Sequence, residues 1–361
     1  MRVIPPLRIA QVAPLHESVP PRLYGGTERV VSFLTEELVS LGHDVTLFAT
    51  GDSMTKAHLI PVLDRALRLR VDRSDAIAAH VLLLERVFEK ERDFDVIHFH
   101  CDYLHFPLSR RATVPTLTTL HGRLDLADLE PLYREFAELP LASISDAQRR
   151  PVPWANWKVT VYHGLPLTFA RLHPDPGEYL AVLGRISPEK GVDLAIEIAK
   201  RSGMPLRIAA KVDRADREYF EAVIRPLLHT PGVEYLGEIG EEDKEEFLGN
   251  AYALLFPIDW PEPFGLVMIE SLACGTPVIA FPRGSVPEVL EDGVTGWIVS
   301  NVEEAVAAVG KIPQLRRSVC RARFEERFSA GRMAGDYLRT YASLIEDRER
   351  REGSCEPALT I

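Results

Sequence analysis

The sequence predicts an α/β protein built as two doubly wound, Rossmann-like domains facing each other across a cleft. Three observations carry this. Short apolar strands alternate with amphipathic helices along nearly the whole chain, the pattern of parallel sheets joined by helical crossovers. The alternation stops at residues 171–177, where Pro174, Pro176 and Gly177 interrupt any periodicity, and then begins again; such a stretch reads as an interdomain linker. The length of 361 residues exceeds one ordinary core, given roughly 150 residues per domain. The domains are therefore placed at residues 1–170 and 177–328.

In the first domain, residues 8–13 form the opening strand, followed by a Pro- and Gly-rich loop ending at Gly26. A helix then puts Val30, Val31, Leu34, Leu38 and Leu41 on one face and stops at Gly42. Residues 44–49, 94–99, 115–120, 140–145 and 159–162 read as further strands, with helical periodicity over 77–91. In the second domain, strands are expected at 179–186, 206–210, 233–236, 253–257 and 277–280, with helices at 188–202 and 217–228. Residues 322–350 form a charged helical tail. In open parallel sheets ligands sit at the carboxyl ends of the strands. If the two domains aim those ends at each other, the site is the crevice between them.

The gross composition narrows the function. A chain with 46% hydrophobic and 26% charged residues is an ordinary globular protein. No apolar run approaches the roughly 20 residues of a membrane helix, so no integral membrane segment is expected, and no signal peptide is evident. Cys101, Cys274, Cys320 and Cys355 are scattered without a CxxC pair, which argues against a zinc site or a disulfide framework and fits a reducing cytoplasm. A net charge of −11 speaks against nucleic acid as a partner.

Four motifs carry chemistry. Gly184-Arg185-Ile186-Ser187-Pro188-Glu189-Lys190-Gly191 joins a strand to a helix, with Ser187 as expected N-cap and Pro188 at the first helical position. Lys190 then falls in the first turn, where the helix dipole disfavours a cation. With Arg185 just upstream, the pair makes sense if an anion such as a diphosphate binds there; the plainer reading pairs Lys190 with Glu189 or Asp193 on the surface. The string from Glu262 through Pro263, Phe264, Gly265 and Leu266 to Glu270 places one carboxylate in a loop and another two turns into an apolar helix. Glu270 requires a hydroxyl-rich or cationic partner there, since an unpaired buried carboxylate is costly. Gly25-Gly26 follows the first strand and allows close backbone approach to a ligand, or is simply a tight turn. His121 ends a strand at the mouth of the cleft, with His98, His100, His105 and His163 as alternatives. Ser145-Asp146 opens a helix, Trp260 either shapes the pocket or packs in the core, and the pairs Arg110-Arg111 and Arg149-Arg150 read as solvated surface more readily than as a phosphate site.

The strings GRISPEKG, EPFGLVMIE and ACGTPVIA resemble those of the retaining glycosyltransferases of family 4, over residues 8 to about 341. The resemblance implies the GT-B fold, an N-terminal acceptor domain, a C-terminal sugar-nucleotide domain and a last helix, about 329–345, crossing back to the first domain. It implies a hexosyl transfer from a UDP-, GDP- or ADP-linked sugar to an acceptor hydroxyl, without metal or cofactor. By the same resemblance Arg185 and Lys190 hold the diphosphate, Glu262 contacts the donor sugar, Glu270 contacts the ribose, and His121 meets the transferred sugar. The glycine loop Gly25-Gly26 and Phe264, Gly265 and Leu266 complete the donor site. The acceptor stays open. A sugar-nucleotide epimerase would turn over its donor without acceptor, and a non-catalytic binding protein would bind without turnover. A dinucleotide dehydrogenase is disfavoured because the first turn lacks GxGxxG.

Overall fold

The computed structural model describes residues 5–23, 25–70 and 75–353; Cys355 lies outside them. Two sheets of wholly parallel strands form the frame. The first contains β1 (Arg8–Val12), β2 (Asp44–Thr50), β3 (His58–Leu63), β4 (Val96–Phe99), β5 (Thr116–Thr119), β6 (Leu141–Ser143) and β7 (Trp157–Thr160), in the spatial order β3-β2-β1-β4-β5-β6-β7. The second contains β8 (Tyr179–Arg185), β9 (Leu206–Lys211), β10 (Val233–Gly237), β11 (Ala251–Phe256), β12 (Val278–Ala280) and β13 (Gly296–Ile298), in the order β10-β9-β8-β11-β12-β13. Each order reverses once, between β1 and β4 in the first sheet and between β8 and β11 in the second. The central strands are buried on both faces, with Ile9, Ala10, Val12, Val96, Ile97 and Phe99 inaccessible to solvent, as parallel strands covered by helices on both sides require.

Two edge strands escape the sequence reading, and for a common reason. β3 carries Pro61 in its middle, and β13 is only three residues and opens with Gly296. An edge strand bonds to one neighbour only, so it tolerates residues that would disqualify a central strand. The expected helix over 217–228 contains a π-turn at Phe220–Ile224. The charged tail is two helices rather than one, Arg317–Arg327 and Ala330–Gly353. The break falls at Phe328-Ser329, where the chain meets residue 165. Leu165 N donates to Phe328 O at 2.9 Å, and Ala330 N donates to Leu165 O at 2.8 Å.

The Ala330–Gly353 helix packs against the first sheet, far from its sequence neighbours. Met333, Ala334, Tyr337, Leu338, Tyr341 and Leu344 join Ile9, Val30, Leu34, Leu38 and Val96 in one core. Each large apolar side chain so buried contributes roughly 1.5–3 kcal/mol. Arg332 adds bonds to the carbonyls of Tyr162 at 2.6 Å and His163 at 3.0 Å. Two further side chains, Glu288 and Arg29, tie the two halves. Glu288 accepts the backbone N–H groups of Asp146 and Ala147, each at 2.7 Å. Arg29 pairs with Glu241. A Cβ on Gly26 would stand in van der Waals contact with Leu266, 3.5 Å away.

Gly164 is required by this crossing. A Cβ there would lie 2.3 Å from the carbonyl oxygen of Ser329 and 2.7 Å from its carbon, and backbone cannot retreat as a flexible side chain can. Gly164→Ala is expected to lower stability by about 1–3 kcal/mol, read as a reduced midpoint in urea unfolding. An unchanged midpoint would show that the two segments have room to separate.

Candidate functional site

The carboxyl ends of both sheets open onto one cleft of about 640 Å³, within the range of small-molecule sites. Gly25-Gly26 follows β1, His100 follows β4 and His121 follows β5 on one wall. Arg185 ends β8, Lys211 ends β9, and the loop after β11 brings in Glu262 on the other. Both reversal points of strand order therefore face the cleft, where an open α/β sheet leaves a crevice. The structure brings all of Gly25, Gly26, His121, Arg185, Lys190, Glu262, Phe264, Gly265, Leu266 and Glu270 to its walls.

The 184–191 segment departs from its expected local structure. Pro188–Lys190 is a single 3-10 turn, and the α-helix starts only at Val192. Between them Gly191 is left-handed at φ 65°, and a Cβ on it would stand 2.2 Å from Pro257 O. Ser187 makes no side-chain cap bond. Lys190 is thus placed ahead of the helix instead of in its first turn. Its ammonium lies 2.5 Å from Glu262 Oε2 and 4.7 Å from the Trp260 ring centroid, so neither Glu189 nor Asp193 is its partner. Glu189 instead accepts from Arg185 at 2.7 Å, and Asp213 and Asp216 each stand 3.7 Å from the same guanidinium. Asp193 accepts from Tyr219 Oη at 3.0 Å.

The 262–270 segment is held by its backbone. Ser285 N donates to Glu262 O at 2.9 Å and Ser285 Oγ donates to Phe264 O at 2.8 Å. Gly265 is left-handed at φ 77° and precedes the Leu266–Ala273 helix, whose first N–H groups have no partner within the helix. Glu270 lies in the second turn of that helix, with its side chain 5% exposed, and accepts from Lys244 Nζ at 2.6 Å. The cationic partner that its burial requires is therefore Lys244, which sequence reasoning missed: it stands in an acidic run, Glu241 to Glu246, that reads as solvated surface. Burial lowers the Lys244 pKa while Glu270 opposes the shift. Arg29, also buried, is lowered in the same way, with Glu270 and Glu28 holding its charge.

The histidines divide by position. His121 Nε2 lies 2.9 Å from His100 Nδ1, and its ring stacks on His163 at 5.3 Å between centroids. His98 is sealed between Thr119 and Tyr341. His105 stacks on Phe99 at 3.7 Å and bonds Ser109, so neither reaches the cleft. Two acids on the N-terminal wall were given no role by the sequence, although Glu28 closes the Gly25-Gly26 motif. Burial raises the pKa of Glu28. Asp102, just past β4, has φ 52°, an uncommon state for a non-glycine residue. Arg110 pairs with Glu135 and Glu138 and Arg149 bonds Ser143 Oγ; neither lines the cleft.

Two family profiles together match residues 24–326 of the chain. "Glycosyltransferase Family 4" covers residues 24–178 and "Glycosyl transferases group 1" covers residues 167–326. The chain is a family 4-type glycosyltransferase. It is 25% identical over 352 residues to the phosphatidyl-myo-inositol mannosyltransferase of Mycobacterium leprae (strain TN), spanning 88% of this chain and 90% of that one. Among solved structures it is similar to AviGT4, a glycosyltransferase involved in avilamycin A biosynthesis, with a TM-score of 0.74 at 24% identity over 94% of this chain and 98% of that one. HepE of Anabaena, solved with UDP and glucose, gives a TM-score of 0.74 at 16% identity over 93% and 100% of the two chains. These likenesses establish the GT-B architecture of the glycosyltransferase.

Among its described residues no helix is long and apolar enough to cross a membrane, and Cys101, Cys274 and Cys320 are buried free thiols. Its buried histidines carry a consequence for acid stability. Burial depresses the pKa of His98, His100, His105 and His163, with His105 held near 3. The unfolded chain protonates these groups near the ordinary value of about 6.5, while the folded glycosyltransferase does not. Below that pH the unfolded state binds more protons, so stability falls by about 1.4 kcal/mol per pH unit for each such histidine. Melting temperature should drop steeply between about pH 6.5 and 5, ahead of carboxylate titration. A flat profile over that window would contradict the burial of these rings.

Proposed function

We propose that this glycosyltransferase moves a hexosyl unit from a nucleotide-diphosphate sugar to an acceptor hydroxyl, with retention at the anomeric carbon. The observation that carries the reading is the convergence of Arg185, Lys190 and the open start of the Leu266–Ala273 helix on one cavity. Two cations beside free backbone N–H groups form a site for a diphosphate. Glu262 and Glu270, on either side, suit hydroxyls of the sugar and the ribose. The solved likeness to HepE, whose structure holds UDP and glucose, supports this choice of donor class, and the resemblance to retaining enzymes supports the stereochemistry.

The acceptor is taken from the N-terminal wall. Its hydroxyl oxygen bonds to the anomeric carbon as the bond from that carbon to the diphosphate oxygen breaks. In a single displacement retention requires both events on one face, and the base on that face is the departing phosphate, which takes the hydroxyl proton. Arg185 and Lys190 meet the charge that develops there. Lys190 is well suited because Glu262 and Trp260 hold its ammonium in place before reaction, so little reorganisation is needed. Approach of the two domains excludes water, which otherwise hydrolyses the donor. In this reading the same two cations stand at the diphosphate where a metal ion would otherwise neutralise charge.

A thermal-shift screen with UDP-, GDP- and ADP-linked sugars tests the donor class. A true donor at about 100 times its Kd stabilises the fold by about 2.7 kcal/mol, and no shift with any of the three classes would defeat the proposal. With the preferred donor, Lys190→Ala should cut turnover by about 10²–10³-fold, the loss seen when one charge-stabilising group is removed, while Glu270→Ala should act chiefly on nucleotide affinity. Chelation of divalent metal should leave turnover unchanged. Wild-type turnover in Lys190→Ala would remove the leaving-group role.

A further inference from the structure

His121 does not stand alone at the cleft. Its Nε2 lies 2.9 Å from His100 Nδ1, and His100 Nε2 lies 2.8 Å from Gln11 Oε1. The amide nitrogen of Gln11 donates to Tyr341 Oη at 3.1 Å. Tyr341 Oη is also 2.7 Å from His98 Nδ1, whose Nε2 is 2.7 Å from Thr119 Oγ1; Thr119 then meets Tyr337 Oη at 2.9 Å. Gln11, His98, His100, Tyr337 and Tyr341 are all buried. The run ends at His121 Nδ1, which is buried and has no hydrogen-bond partner in the protein.

A neutral imidazole carries one N–H and one lone pair, so each link dictates the next. Gln11 Oε1 can only accept, hence His100 Nε2 bears hydrogen and His100 Nδ1 is a lone pair. His121 Nε2 must then be the donor to it, which leaves a lone pair on His121 Nδ1. On the far side, Tyr341 accepts from Gln11 and spends its own hydrogen on His98 Nδ1, which makes His98 Nε2 the donor to Thr119. Turning the Gln11 amide over would reverse every bond in the run and put an N–H on His121 Nδ1. The polarity of the whole network thus rests on the orientation of one amide, because every other member, the Tyr341 hydroxyl of the Ala330–Gly353 helix included, can donate or accept.

We propose that Gln11, His100 and Tyr341 are positioning residues that fix the tautomer of His121, so that its Nδ1 meets the donor as a hydrogen-bond acceptor. The group it receives is a hydroxyl of the transferred sugar, since a phosphate oxygen has no hydrogen to give. This rests on the reading of the cleft as a sugar-nucleotide site. The crossing helix, which contributes no side chain to the cleft wall, then takes part in setting the chemistry of a residue on it.

The test has two arms. In the first, the full chain labelled with ¹⁵N-histidine, without ligand, is examined by long-range proton–nitrogen correlation, with His121 assigned from the signals lost in His121→Asn. The expected pattern is hydrogen on Nε2 and none on Nδ1 for both His121 and His100. Gln11→Met and Tyr341→Phe should each convert the His121 signals to a mixture of tautomers, and the second keeps the aromatic ring in the core if the first fails to fold. In the second arm, Kd is measured for whichever of UDP-glucose, GDP-mannose and ADP-glucose most raises the melting temperature, and for its nucleoside diphosphate. The variants should bind the sugar nucleotide about tenfold more weakly, as for one lost hydrogen bond, and the nucleoside diphosphate unchanged. Hydrogen on His121 Nδ1 in the wild type, or an unaltered tautomer in both variants, overturns the proposal. Equal weakening of both ligands also overturns it, because it reports general damage. Absence of binding by all three sugar nucleotides to the wild type sinks the donor reading, while the first arm still decides the tautomer relay.

Discussion

A charge taken out of water needs an opposite charge or a hydrogen bond beside it, and the cleft of this glycosyltransferase is organised by that constraint. Lys190 faces Glu262, Lys244 faces Glu270, Arg29 faces Glu241, and Arg185 stands among Glu189, Asp213 and Asp216. Each pair holds its side chains in one place ahead of any ligand. A site meant for a highly charged molecule is thereby kept folded without exposing a bare cluster of one sign, and the cations need only exchange one acidic partner for another when an anion enters.

The backbone makes that arrangement possible. All strands of both sheets run the same way, so the loops that follow them gather at one end of each sheet. Glycines allow two of these loops to come close to neighbouring chain. Gly191 lets the 184–191 segment pass against the carbonyl of Pro257, and Gly265 turns the chain from the loop of Glu262 into its helix. The short 3-10 turn before Gly191 is what aims Lys190 across to Glu262; an uninterrupted helix from Pro188 would begin one turn earlier and direct it elsewhere.

The last helix serves two purposes through one set of side chains. Its apolar face, with Met333, Leu338 and Leu344, closes the core of the first sheet. The hydroxyls of Tyr337 and Tyr341, buried in the same face, satisfy Thr119, Gln11 and His98. Polar groups this deep are costly without partners, so packing of the helix and the hydrogen bonds beneath it are decided together.

Much of the site was legible in the residues. The alternation of strands and helices, the interruption near Pro174 and Pro176, and the strings around Arg185, Lys190, Glu262 and Glu270 are local patterns that chain order alone preserves. Edge strands β3 and β13 were not legible, because a strand bonded on one side tolerates Pro61 and Gly296. The partners of the charged residues were not legible either. Lys190 and Glu262 are 72 positions apart, Gln11 and Tyr341 are 330 apart, and nothing periodic links them. Sequence by itself determined which residue types stand at the ends of the strands, since those follow from local spacing. Only the tertiary structure decided which of them meet, because burial couples groups by distance in space and makes a charge or N–H removed from water costly without a partner.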